Sequence, residues 1–379
     1  MSSLLTKRDF LTLCGSGLCA LCLKSVPGLT KNLYAQMVRK GLIKTKLSPY
    51  FTPSGGGSVR CDLCPKQCII PKGRRGHCRV RENREGRLFT LVHGNPCAVH
   101  LDPIERNPLF HVRPASKSLS VATAGCNFQC KFCQNWEFSQ ASPEDVYSYD
   151  MSPETMVNKA KGMGARSMAY TYGEPTIFYE YMFDICLVAK KAGLLNVLHS
   201  NGFINPVPLQ SLCKVLDAVN IDLKGFTNAF YGDLCNGKVT PVLETLKILK
   251  REKVHLEITN LLIPTKNDEM SVVKEMCLWI KNELGADTPL HFSRFYPLHK
   301  LKKLPPTPVS KLEEARAVAM STGLQYVYIG NVPGHEAWNT FCPECEKIVI
   351  KRVGFMIGKI DLVDGKCKYC GKPIPGIWS

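Results

Sequence analysis

The sequence offers no apolar run suited to a stable membrane span: Phe10–Leu23, apolar and rich in small residues, falls short of the ~20 residues a helix needs to cross a bilayer. Acidic residues are few, 32 Asp and Glu against 49 Lys and Arg, so the formal net charge is +17. The excess is partly local. Residues 1–50 hold eight Lys or Arg against Asp9 alone, and residues 60–87 hold nine against Asp62, Glu82 and Glu85. Such a surface is either simply solvated or meets an acidic partner, nucleic acid or a negatively charged protein. Aromatics are scarce in the basic stretches, which counts against a base-stacking platform. With 379 residues and 45% hydrophobic content, the chain can fill one large core with appendages, or two ordinary domains.

Cysteine is what the chain has in excess, nineteen in all. That number fits disulfides in an exported protein or metal and redox chemistry in a reducing compartment, and the spacing favours metal. Cys61, Cys64, Cys68 and Cys78, then Cys126, Cys130 and Cys133, then Cys342, Cys345, Cys367 and Cys370 form tight groups. Disulfide partners are rarely placed so close in sequence. The other eight, at 14, 19, 22, 97, 186, 213, 235 and 277, are scattered and read mostly as small buried hydrophobes. Two four-cysteine zinc sites and one three-cysteine cluster would together carry about −5, leaving a corrected charge near ~+12.

Four regions are expected. Residues 1–54 are a leader and linker, with SPYFTPSGGGS at 48–58 as the turn-rich part. Residues 55–115 are a cysteine-rich module, organised by metal rather than by a core because apolar periodicity is weak. In 116–331, LSVATAG, SMAYTYG, LNVLHSNG, AVNIDLKG, HLEITNLLIP and LHFSRFYP read as six strands, with QYVYIGN as a candidate seventh. Helical stretches lie between them, such as SPETMVNKAKGMG, where Ser152 is a candidate N-cap, Pro153 opens the helix and Gly162 or Gly164 stops it. The alternation predicts an α/β architecture with a parallel sheet, open or curled toward a barrel. Residues 332–379 form a small four-cysteine module of zinc-ribbon or rubredoxin type, because paired C-x2-C motifs suit a closed tetrahedral site for zinc or a single iron.

Reactive groups gather where parallel strands end, and the unusual residues follow that rule. Cys126, Cys130 and Cys133 follow the first strand, Gly173, Glu174 and Pro175 the second, Ser200 and Asn201 the third, and Asp222 and Lys224 close the fourth. The triplet lacks a fourth thiol. Three soft thiolates can hold three irons of a 4Fe-4S cube, leaving the fourth iron open to a ligand.

C-x3-C-x2-C with Phe132 before the last cysteine resembles the signature of the radical S-adenosylmethionine superfamily. The resemblance implies a partial (β/α)6-type TIM barrel, a 4Fe-4S cluster and S-adenosylmethionine, whose reductive cleavage yields a 5′-deoxyadenosyl radical that abstracts hydrogen. TYGEP at 171–175 resembles the family's Gly-Gly-Glu-Pro motif, with Tyr172 in place of the first glycine; Gly173, Glu174 and Pro175 are then cofactor-binding. NIDLKGF is similar to the Asp-Leu-Lys segment of glycyl-radical-enzyme activases, which implies Asp222 and Lys224 beside the cofactor. Ser200, Asn201 and His291 are candidates for the same pocket. Thr259 falls where many activases have arginine.

The order of CDLCPKQCIIPKGRRGHCRVRENREGRL, DPIERNPLFHVRP, GCNFQCKFCQN and CPEC…CKYCGKPIPGIW is similar to the AmmeMemoRadiSam-system radical enzyme, a pyruvate formate-lyase activating enzyme homologue. That implies a low-potential flavodoxin or ferredoxin as electron donor, Memo-like and AMMECR-type proteins as neighbours, and a protein, peptide or nucleotide-type substrate. Cys61, Cys64, Cys68 and Cys78 could hold zinc or a second Fe-S cluster, zinc being slightly favoured. Two other functions are carried: a glycyl-radical activase, and a non-catalytic Fe-S and zinc protein that binds nucleic acid. A cytoplasmic location is expected. The alternatives are membrane-peripheral association through an interfacial helix and export, since TKRDFL resembles a twin-arginine signal with Lys7 in place of the first arginine and a small-residue cleavage site near Ala35.

Overall fold

The computed structural model describes residues 38–379. The expected leader features, TKRDFL, Phe10–Leu23 and the cleavage site near Ala35, lie outside the described residues. Among the described residues no helix is long and apolar enough to cross a membrane.

Seven strands, Lys117–Ala122, Ser167–Tyr170, Leu195–Ser200, Ala218–Asp222, His255–Leu262, Leu290–Arg294 and Val327–Gly330, lie side by side in chain order and run parallel. Ala98–Pro103 joins antiparallel at one edge. Parallel neighbours need long crossovers, and the helices Pro153–Gly162, Tyr179–Lys191, Pro206–Cys213, Thr240–Arg251, Met270–Leu284 and Val309–Ser321 supply them. The order never reverses, so every strand end carries its loop to the same rim. All six expected strands and the seventh are present, and the α/β class with a parallel sheet holds.

Local chemistry sets the crossovers. Ser152 accepts from the Thr155 N–H at 3.2 Å, Pro153 takes the first helical position, and Gly164, at φ +70°, follows the helix end. Sheet alternation then sorts the side chains. Met168 and Tyr170 face the main core, whereas Ala169, Val197 and Ala218 pack on the opposite face against Ile104, Leu109 and Val112. Both faces are thus covered, as an interior parallel sheet requires.

Three expectations are corrected here. SPYFTPSGGGS is not a free linker: Phe51–Pro53 pairs antiparallel with Val59–Cys61, making a hairpin over the glycines. The cysteine-rich module is not organised by metal alone, since Val59, Leu63, Ile70, Val80, Leu88 and Val92 are buried in the main core. Strands of two to four residues are too short to show periodicity, which hid both features. Finally, residues 98–112 belong with the central sheet rather than with the module before it.

The C-terminal segment forms a three-stranded antiparallel sheet, Thr340–Phe341, Ile348–Val353 and Met356–Ile360, beside a short pair, Leu362–Val363 with Lys366–Cys367. Arg352 fastens it to the body. Its guanidinium donates to the Phe110 carbonyl at 2.7 Å and lies over the Phe110 ring, 4.3 Å from the centroid.

Candidate metal and cofactor site

The triplet loop leaves the strand Lys117–Ala122 and is held on several sides. Gln129 and Lys131 donate backbone N–H groups to the carbonyls of Cys235 and Leu234, at 3.0 and 2.8 Å. Phe128 is fully buried and packs tilted against Phe203 with ring centroids 4.8 Å apart. Gly125 is required: at φ +94°, a Cβ there would lie 2.6 Å from the Cys78 carbonyl oxygen and 2.8 Å from Val80. The thiols are not drawn tightly together. Among the described residues only Cys342, Cys345, Cys367 and Cys370 bring all their ligand atoms within 4.8 Å of one another.

Burial pushes the Cys126 thiol well up, and the nearby Glu174 charge adds to the push. Cys130 moves down instead, through a contact with the Cys235 thiol and, against burial, the charge of Lys224. Cys133 is raised by burial, and its Sγ lies 3.2 Å from the Ser139 hydroxyl. One buried and two half-buried thiols with a lysine alongside suit an anionic group that brings its own cations. The donor set therefore fits an iron–sulfur cluster.

Glu174 is buried and its carboxylate is fully engaged. It accepts from the Thr176 N–H at 2.9 Å, the Ser200 hydroxyl at 2.7 Å and the Asn201 N–H at 2.8 Å. The Asn201 amide donates onward to Asn127 Oδ1 at 2.8 Å, one residue past Cys126. Glu174, Ser200 and Asn201 are thus brought together and tied to the triplet loop. Tyr172, the departure from the glycine-rich motif, sits at φ 61°, the left-handed conformation that glycine adopts most easily. Its carbonyl accepts from the Asn135 amide at 2.6 Å, and its hydroxyl meets Asp102. Gly173 follows, and Pro175 opens the short helix Pro175–Phe178.

Asp222 and Lys224 form an ion pair of 2.8 Å, and the second Asp222 oxygen meets His199 Nε2 at 2.9 Å. Burial alone would raise Asp222, but Lys224 and His199 outweigh it and hold the carboxyl well below its usual range. For Lys224, burial opposes the charge, yet Asp222 and Cys130 overcome it and the ammonium is held charged. Lys224 Nζ also lies 5.8 Å from the Phe132 ring centre.

His291 is the exception. The structure does not bring it to this group: its Nε2 lies 2.7 Å from Glu257 and its ring stacks on Tyr328, with centroids 4.9 Å apart. Glu257 is fully buried and also accepts from the N–H groups of Phe110 and His111 at 3.0 and 2.8 Å. A charged hub needs these donors to remain ionised in the interior, so His291 is spent on it. Thr259 presents a buried hydroxyl without a protein partner.

The two four-cysteine groups differ in spacing. Cys342 and Cys370 sulfurs lie 3.5 Å apart, and those of Cys345 and Cys367 lie 3.7 Å apart. Four thiolates around one tetrahedral zinc would sit ~3.8 Å apart. Against burial, backbone N–H groups of Tyr369 and Cys370 pull the Cys367 thiol down to about 7. Cys61, Cys64, Cys68 and Cys78 instead line one shared cavity, together with His77 and Arg81. Sequence reasoning missed Cys235, His199, Glu257 and the buried ion pair of Arg81 with Glu180, at 2.7 Å. Each depends on a partner remote in sequence.

The profile of the Radical SAM superfamily matches residues 120–276. The Methanocaldococcus jannaschii protein MJ0808, itself uncharacterised, is 45% identical over 318 residues, 83% of this chain and 95% of that one. A putative glycyl-radical enzyme activating enzyme of the same organism is 24% identical, covering 58% of this chain and 89% of its own length. A solved radical SAM methyltransferase from Sphaerobacter thermophilus superposes with a TM-score of 0.48 at 11% identity, covering 81% of this chain and 83% of that one.

Proposed function

The chain belongs to the radical SAM superfamily, and on that premise we propose that it reductively cleaves S-adenosylmethionine at a 4Fe-4S cluster on Cys126, Cys130 and Cys133. The observation that carries this reading is the grouping of those thiols with Glu174, Ser200 and Asn201 and with the Lys224–Asp222 pair. When bound, the cluster supplies one electron and an open iron, and the cofactor supplies the radical chemistry.

The protein's own work is positioning and exclusion. Glu174, fixed by three donors, is the anionic partner for the cofactor's ammonium, and its rigidity sets where that group docks. Asp222 and Lys224 keep their charges in a half-buried position, so they suit the hydroxyl and carboxylate groups of an adenosyl amino acid. Phe128 and Phe132, both buried, shield the cluster loop from water.

The substrate we favour is a protein, peptide or nucleotide-bearing molecule that gives up a hydrogen atom. Memo-like and AMMECR-type proteins are the proposed neighbours, on family resemblance, and a flavodoxin or ferredoxin the proposed donor. The activase reading has the similarity to a putative glycyl-radical activating enzyme in its favour, and Thr259 in place of arginine against it. At the C-terminal group we propose zinc in a structural role. The test is direct: anaerobically reconstituted protein with dithionite and S-adenosylmethionine should release 5′-deoxyadenosine. Release no greater than that of Cys126→Ala would overturn the proposal.

A further inference from the structure

Cys61, Cys64, Cys68 and Cys78 are four thiols in one place, yet they do not gather as the C-terminal four do. No three of them bring their sulfurs within 4.8 Å of one another, the spacing that Cys342, Cys345, Cys367 and Cys370 reach. A single tetrahedral ion draws its sulfurs to ~3.8 Å, whereas a cubane stands between its thiolates and keeps them apart. The triplet shows the same open spacing. The N-terminal four surround one shared cavity, which Lys66, His77 and Arg81 also line.

The walls of that cavity add a second observation. His77 and Arg81 line it, and both His77 Nε2 and Arg81 Nε are buried with no partner in the protein. Arg81 is 1% exposed. Buried polar nitrogens without partners are costly, and cluster sulfides accept hydrogen bonds of this kind. The His77 backbone N–H already donates to Cys68 Sγ at 3.4 Å.

The cavity also adjoins the triplet. Asn127, one residue past Cys126, lines it, and the backbone at Gly125 is so close to Cys78 that no Cβ could fit between them.

We propose that Cys61, Cys64, Cys68 and Cys78 hold a second 4Fe-4S cluster that relays electrons to the triplet cluster. This rests on the proposed cluster at the triplet only for its destination. With all four irons ligated by cysteine, the second cluster has no open iron and cannot bind S-adenosylmethionine. It can change charge by one. A low-potential one-electron carrier is oxidised by one electron as the N-terminal cluster is reduced. That electron then reduces the triplet cluster and returns the first to its oxidised state, with no proton or group transferred.

The deciding experiment is metal and sulfide analysis with EPR on the full chain carrying Cys126→Ala, Cys130→Ala and Cys133→Ala. Anaerobic reconstitution should leave about four irons and four sulfides, with a reduced-cluster signal after dithionite. Zinc in their place, or no iron, overturns the proposal. If that variant does not fold, Cys64→Ser with Cys68→Ser serves instead, and should lower wild-type iron by about half; unchanged iron overturns the proposal. Reduced wild type should give a spectrum broadened by two interacting spins, which is not the sum of the variants' spectra. A simple sum refutes the relay. Because the triplet variant cannot cleave S-adenosylmethionine at all, its iron content is independent of whether the wild type does.

Discussion

The two four-cysteine groups have the same thiol count and opposite geometry. At the C-terminus, sulfurs 3.5 and 3.7 Å apart close on a space for one ion, in a module whose cluster of buried residues is separate from the main core. At the N-terminus, the thiols line a cavity shared with Leu63, Ile70 and Ile177 of the main core and with Asn127 of the triplet loop. The difference teaches that ligand count does not identify a metal site. What surrounds the thiols, and how far apart the fold holds them, decides whether an ion or a cluster fits.

The largest effect is expected at the triplet, where both groups serve as controls. Cys130→Ala should lower 5′-deoxyadenosine formation by at least ~100-fold, measured by chromatography, while zinc content stays at the wild-type level. Next is the ion pair beneath the N-terminal group. Glu180→Ala leaves Arg81 charged and unpaired in the interior, and should cost about 3–5 kcal/mol in a denaturant titration. The ion pairs formed by the C-terminal segment itself, Asp361 with Lys359 and Lys368 and Glu344 with Lys372, each have an exposed lysine, so the two regions should differ in this respect.

The C-terminal contact should instead respond to pH. Burial lowers His111 to about 4, and its ring bridges the Pro375 carbonyl at 2.6 Å and the Tyr328 hydroxyl at 2.7 Å. The unfolded chain binds this proton at a higher pH than the folded one does. Stability from this histidine is therefore full above about 6.5 and lost as pH falls toward about 4, by up to ~3 kcal/mol. Thermal melts of wild type and His111→Asn across that window should converge toward the acid end. Smallest is Asp222→Asn, expected to weaken S-adenosylmethionine binding about tenfold, or ~1.4 kcal/mol, by calorimetry.

Much of this was legible in the sequence, and the reasons are physical. The seven parallel strands are apolar on both faces and end in glycine, proline or asparagine turns, so runs such as SMAYTYG stand out. The triplet and Glu174 were legible because their spacing and strand-end position are local. His199 and Glu257 were not, since a buried polar residue is defined by partners that only the sheet brings near. Cys235 reads as an ordinary core cysteine, yet the helical turn Tyr231–Cys235 holds the triplet backbone. His291 was misplaced for the converse reason: its position on the strand is right for a pocket, but Glu257 claims its ring.

The central claim is that the open thiol sets hold clusters and the closed set an ion. Iron, sulfide and zinc per chain, measured on anaerobically reconstituted wild-type protein, test it most directly. The account predicts about eight irons, about eight sulfides and about one zinc. About four irons with about two zincs would contradict it.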